Sequence, residues 1–307
     1  MSAAQSISVS ASDSAAETMS NRFSKFAFAM LAGASLFTGA AAQESLTATT
    51  VRRLAAPDAG QGAAFGAHHV FAVDNSVIAK HDLETGALVA RFEDKDRLLA
   101  HMNSCLVVEA KLMCANSNYP QSPMASSIEI FDPESLTHSQ THSLGLMDEG
   151  SLVWFDRREG GWLVGFAHYD GARGAGFKDH AFSSVVAFDA QWRRTGGWAF
   201  PAETLARMAP HAASGGAVGP DGLLYVMGHD RPEIYALAKP PRGPALTLVA
   251  TIAVDAHGQA FSFAPDGSRR IAAVDRKSGE ILIIDLPPVA THALAPGQFF
   301  RRPPAER

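Results

Sequence analysis

From Gln61 onward the chain is a succession of short apolar runs separated by clusters of Gly, Asp, Asn and Pro. Typical stretches are "VFAVDNSVIAKHDLETGALVARF", "SSIEIFDPESLTHSQTHSL", "SSVVAFDAQWRRTGGWAF" and "GEILIIDLPP". Runs this short, bounded by turn residues and rich in Val, Ile and Phe, predict strands. "PAETLARMA" (Pro201 to Ala209) is the exception: it has helical composition, with Pro at the first turn.

The strands recur in a fixed order. Four segments open with a free residue, then Gly, then small or apolar residues: "QGAAF" at Gln61, "EGSLVW" at Glu149, "SGGAVG" at Ser214 and "HGQAFSF" at His257. "MNSCLVV" at Met102 is a fifth, without the glycine. Each is followed by a second strand with a polar end ("VFAVDN", "LMCANSN", "LVGFAHYD", "LYVMGHD", "IAAVDR"), then by a third, and in most units by a fourth. A repeat of roughly forty to fifty residues with four strands each predicts an all-β fold, a single β-propeller of five four-stranded blades. A sixth blade within 170–210 is the alternative. The last unit lacks a clear fourth strand. The spare strand "SLTATTVRRLAA" (Ser45 to Ala56) is expected to complete it and close the ring, with "ATHALA" near His292 as the competing segment. The expected organisation is 1–42 leader and upstream extension, 43–290 propeller and 291–307 tail.

The leader reading rests on Arg22 and Lys25 before "FAFAMLAGASLF", with Ala40-Ala41-Ala42 as the cleavage signal. The apolar run is too short to span a bilayer, so the mature chain is expected to have no membrane span and to work in the periplasm or as a secreted protein. The cysteines fit that location. Cys105 and Cys114 flank a hairpin that turns at Glu109-Ala110, which sets residue 108 opposite 111 and Cys105 opposite Cys114, a pair close enough for a disulfide. A net charge of −5 gives no electrostatic reason to expect nucleic acid. A monomer is expected. The chain contains no G-x-S-x-G, H-E-x-x-H or P-loop motif; "GGAVGPDG" lacks the lysine and the helix of a phosphate cradle.

"DNSVIAKHDLETGALVARF" and "DRKSGEILIIDL" resemble the strand–D-x-x-T/S-G–strand hairpins of secreted bacterial propellers, a superfamily of YVTN-repeat, lactonase-like and quinoprotein-like proteins. The resemblance implies a propeller over about Gln61 to Leu286. It carries no single function, because such folds host hydrolases, isomerases and plain binding modules.

Candidate site residues follow from the blade register. Residues just before first strands (Gln61, Asn103, Glu149, Ser214, His257) should line the channel mouth. Loops after second strands should add Asp74, Asn118, His168, Asp170, His229, Asp230, Asp275 and Arg276. Glu149, His168, His229 and His257 are the candidate catalytic set, as general acids and bases or ligands. Gln61, Asn103, Asn118, Ser214, Gln259, Asp275 and Arg276 are the candidate ligand-binding set, with Asp275-Arg276 also readable as a turn. A calcium-dependent, lactonase-like site would draw on Glu149, Asn103, Asn118 and Asp275. Two functions remain open: a lactonase- or isomerase-like enzyme acting on a small polar metabolite with a divalent cation such as calcium, or a non-catalytic module that binds a small polar molecule or a periplasmic protein. Trp154, Trp162 and Trp198 are expected to pack blades.

Overall fold

Five antiparallel sheets of four strands are arranged around one axis in the structure, a computed structural model that describes residues 44–171 and 175–301. The leader reading at 1–42 and the last six residues of the tail, 302–307, lie outside the described residues. Blade 1 is β3 (Gly62–Phe65), β4 (His69–Asp74), β5 (Val77–Asp82) and β6 (Leu88–Glu93). Blade 2 is β7 (His101–Val108), β8 (Lys111–Ser117), β9 (Ala125–Phe131) and β10 (His138–Leu146). Blade 3 is β11 (Ser151–Arg158), β12 (Gly161–Ala167), β13 (Ser184–Asp189) and β14 (Arg194–Ala199). Blade 4 is β15 (Gly215–Val218), β16 (Leu224–Met227), β17 (Glu233–Ala238) and β18 (Thr247–Ala253). Blade 5 is β19 (Ser262–Phe263), β20 (Arg270–Asp275), β21 (Glu280–Asp285) and β2 (Thr49–Ala55).

The five-blade prediction holds, and 170–210 supplies the two outer strands of blade 3 and a helix rather than a sixth blade. The helix, α1, runs Ala202–Met208 directly after Pro201. Closure is by the N-terminal strand as expected: Thr50 stands opposite Ile284 and Leu54 opposite Ile281. "ATHALA" forms no strand. The spare segment does more than close the last blade. Its first part, β1 (Glu44–Thr47), runs parallel to β18 as a fifth strand of blade 4. One N-terminal stretch therefore ties blade 4 to blade 5 and covers two sheet edges.

Burial explains the strand grammar. Inner strands are apolar on both faces because a neighbouring blade packs on each; outer strands such as β6, β10 and β14 alternate toward water. Five apolar layers result, one between each pair of neighbouring blades. In one, Phe155, Trp162 and Phe188 of blade 3 meet Met113 and Ile130 of blade 2. In another, Trp154 is fully buried against blade 4 and donates Nε1–H to the Ala213 carbonyl at 3.1 Å. Trp162 stacks on Trp192, and Trp198 meets Phe300 edge-on. The segment after Val289 thus packs back on the ring, and Phe300 sits in the layer between blades 3 and 4.

The first hairpin of blade 2 has the register read from its sequence, with Val108 opposite Lys111 and Cys105 opposite Cys114. Cys105 and Cys114 form a disulfide with Cα atoms 4.0 Å apart. Glu109 and Ala110 both have positive φ, 49° and 55°, as a two-residue hairpin turn of this twist requires.

The glycines that mark first strands have a steric cause. A Cβ on Gly62 would lie 2.8 Å from the Asn103 carbonyl oxygen of blade 2, and one on Gly215 would lie 2.3 Å from the Gln259 carbonyl oxygen of blade 5. With five blades the axis is narrow, and neighbouring backbones come too close for a side chain there.

Candidate functional site

A cavity of about 460 Å³ opens at one mouth of the ring, where all five blades contribute. Gln61 and Asn75 come from blade 1; His101, Asn103 and Tyr119 from blade 2; Tyr169 from blade 3; His211, Ser214 and His229 from blade 4; Gln259 and Arg276 from blade 5. They sit just before or within first strands, or in loops after second strands, which the up-and-down blade brings to the same end.

Among the predicted residues the structure brings together Gln61, Asn103, Ser214, His229, Gln259 and Arg276. Asp230 stands just behind them, bonded to His229, and the others do not line this cavity. The Glu149 carboxylate faces outward and pairs with Arg194 of β14, the outermost strand of its blade, at 3.2 Å. His168 is buried in a separate cavity of about 370 Å³ beside Asp148, Phe177 and Lys178, and its backbone N–H donates to Ser183 Oγ. Burial, and then Lys178, push its pKa down. His168 and His229 occupy matching repeat positions but share no cavity; the next residue, Tyr169, is the one that reaches the central mouth. His257 contacts Asp275 at 3.3 Å. Asp275 accepts from Ser278 Oγ at 2.8 Å and from the Lys277 N–H, so it caps its own turn. Asn118 caps its loop by accepting from the Ala125 N–H and donating to the Pro123 carbonyl. The expected calcium set of Glu149, Asn103, Asn118 and Asp275 is therefore dispersed.

Seven lining residues were not read from the sequence: Asn75, Ala100, His101, Tyr119, Pro120, Tyr169 and His211. Tyr119 lies between His101 and Tyr169, with ring centroids 4.9 and 4.5 Å away. Burial pushes the His101 pKa down to about 4, so its ring is neutral near pH 7. His101 Nδ1 is bonded to Asn75 Oδ1, which also accepts from Gln61 Nε2 at 3.3 Å. His211 enters from the turn after α1, held by its N–H to the Met208 carbonyl.

On the blade 4–5 side the proton positions can be read from geometry. Arg276 can only donate, so His229 Nε2 accepts from its Nη1 at 2.6 Å. The His229 proton is then on Nδ1, donated to Asp230 Oδ1 at 2.6 Å. His211 Nδ1 donates to the other oxygen of Asp230 at 2.8 Å and its ring stacks on His229, centroids 4.0 Å apart. His229 is neutral in this arrangement, and burial lowers its pKa in the same direction. Among the described residues His211, His229 and Asp230 form one of two His/Asp groups compact enough to hold a metal ion; the other is Asp170, Asp179 and His180. Among the described residues no helix is long and apolar enough to cross a membrane.

No protein-family model matches the chain, and no curated protein matches it. Solved structures similar to the chain include two WD40 domains. The Neurospora crassa Pan2 WD40 domain is 14% identical with TM-score 0.34, over 74% of this chain and 62% of that one. The WD40 β-propeller domain of Doa1 is 12% identical with TM-score 0.40, over 73% of this chain and 63% of that one. The chain thus spans less than two thirds of either. A chain of a mitotic checkpoint complex structure is 12% identical with TM-score 0.39, over 81% of this chain and 95% of that one.

Proposed function

We propose that the protein is a binding module that captures a small polar molecule at the mouth of its propeller, outside the cytoplasm, without transforming it. The observation that carries this reading is the 460 Å³ cavity to which every blade contributes polar side chains. That volume suits a small-molecule site, and convergent amide, hydroxyl and imidazole groups orient a ligand. A catalytic reading needs an acid or base set around one reacting atom. Of Glu149, His168, His229 and His257, only His229 lines the cavity. A lactonase- or isomerase-like reaction and a calcium requirement are correspondingly less well supported than binding. The Cys105–Cys114 bridge supports an oxidising compartment.

Isothermal calorimetry of the purified protein against a panel of small polar metabolites tests this. Asn103→Leu with Gln259→Leu should weaken the best ligand by roughly 10- to 100-fold, the loss of two ligand hydrogen bonds. Calcium-dependent turnover of a lactone or ester panel, abolished by Glu149→Gln in a folded variant, would replace binding with catalysis.

A further inference from the structure

We infer that the mouth cavity takes a small organic carboxylate with a planar, unsaturated body, its carboxylate on Arg276 and its body against the ring of Tyr119. The inference rests on the binding reading above and names the ligand class for that site.

Charge comes first. Among the described residues Arg276 is the one formally charged side chain lining the cavity, and no Asp or Glu lines it. Arg53, Arg91, Arg207, Arg269 and Arg270 each pair with a carboxylate. Among the described residues no carboxylate lies within ion-pair distance of Arg276, whose hydrogen bond goes to the neutral His229 ring. Asp230, the nearest acid along this chain of contacts, has one oxygen taken by each imidazole. The guanidinium keeps further N–H donors in a planar fork, the geometry that recognises a carboxylate. An amine brought here would meet a like charge and no acid.

The rest of the cavity selects the body of the ligand. Arg276 and His229 belong to blades 5 and 4, whereas Tyr119 and Tyr169 belong to blades 2 and 3, across the ring. Tyr119 packs ring to ring with His101 and Tyr169, and the three rings line the cavity as an aromatic wall. His101 adds no charge to that wall, since its ring is neutral and tied to Asn75. Gln61, Asn103 and Gln259 line the same cavity and offer neutral hydrogen bonds.

The test uses calorimetry on the full purified chain with a matched set: 4-hydroxyphenylacetate, its amide 4-hydroxyphenylacetamide, and tyramine, with acetate as the ringless control. The carboxylate should bind at least tenfold more tightly than the amide, tyramine should not bind, and acetate should bind more weakly than 4-hydroxyphenylacetate. Arg276→Gln, at an exposed position, should remove the preference for carboxylate over amide by weakening the carboxylate far more than the amide. Tyr119→Ala should weaken carboxylate and amide alike. Equal binding of carboxylate and amide to the wild type, or an unchanged preference in Arg276→Gln with a native circular-dichroism spectrum, overturns the charge assignment while leaving the cavity a binding site. Preference for tyramine does the same. If none of the four binds, the ligand class is wrong; the binding reading then stands or falls on the metabolite panel and the Asn103/Gln259 pair.

Discussion

Gly215→Ala should destabilise the protein although the substitution is usually favourable inside a strand. Replacing a strand glycine with alanine ordinarily gains about 0.5–1 kcal/mol by restricting the unfolded chain. At Gly215 the new methyl would lie 2.3 Å from the Gln259 carbonyl oxygen and 2.8 Å from the Ala260 Cα. Both are backbone atoms of the neighbouring blade, so no side chain can rotate away. Relief requires blades 4 and 5 to separate by several tenths of an ångström against the apolar layer of Tyr225, Ile252, Phe263 and Ile271. Overpacking of this kind costs about 1–3 kcal/mol. For a domain of this size each kcal/mol lowers Tm by about 2–4 °C. Gly196→Ala is the control: Gly196 lies in a strand, and a Cβ there meets nothing within 4 Å. Differential scanning calorimetry and urea denaturation of both variants read the effect. The control should unfold at or slightly above the wild-type temperature and Gly215→Ala clearly below it. If Gly215→Ala is as stable as the control, the blades are not in backbone contact at the axis and the steric account of the glycine pattern fails.

Reducing the Cys105–Cys114 bridge, or replacing both residues with Ser, should cost about 2–3 kcal/mol, the loop-closure entropy of a cross-link spanning nine residues; urea curves with and without dithiothreitol measure it. Ala110→Gly should stabilise the protein by about 0.5–1 kcal/mol, because Ala110 holds φ at 55° in the turn that this bridge closes; an unchanged urea midpoint would refute it. Stability should also fall with acid in two windows. Burial holds the folded His101 pKa at about 4, below its unfolded value of about 6.5, so the unfolded chain binds that proton first. Its contribution is whole above about pH 6.5 and is lost by about pH 4, on the order of 2–3 kcal/mol, and His101→Gln should flatten that part of the urea midpoint–pH curve. The turn carboxylates Asp82 and Asp132 are held low by hydrogen bonds from Thr85 and Ser135, so their contribution remains at the ordinary carboxylate pKa and is lost only below it.

The blade pattern could be read from sequence because it is a local steric and packing code. Short doubly apolar runs mark inner strands, and Gly62 and Gly215 mark the points where neighbouring backbones touch. The Cys105–Cys114 register was readable because a two-residue turn leaves one pairing. The site was only partly readable, because a blade's position on the axis does not fix which of two or three adjacent residues faces it. Counting from the glycines selects His257 in blade 5, yet the first strand begins later there and Gln259 is the residue that lines the cavity. In blade 3 the same count selects Glu149, but that carboxylate pairs with Arg194 on the outermost strand and does not line the cavity. His211 had no signal in the repeat, since it enters through the turn after α1, an insertion between blades 3 and 4. The N-terminal segment shows the same limit: alternation marks Ser45 to Ala56 as a strand that needs an edge, but both blade 4 and blade 5 offer one, and the chain divides near Ala48 to cover both. Repetition therefore encodes the ring and its mouth, whereas the polar lining of that mouth depends on residues such as Arg276 and His211, whose partners lie in other loops or other blades.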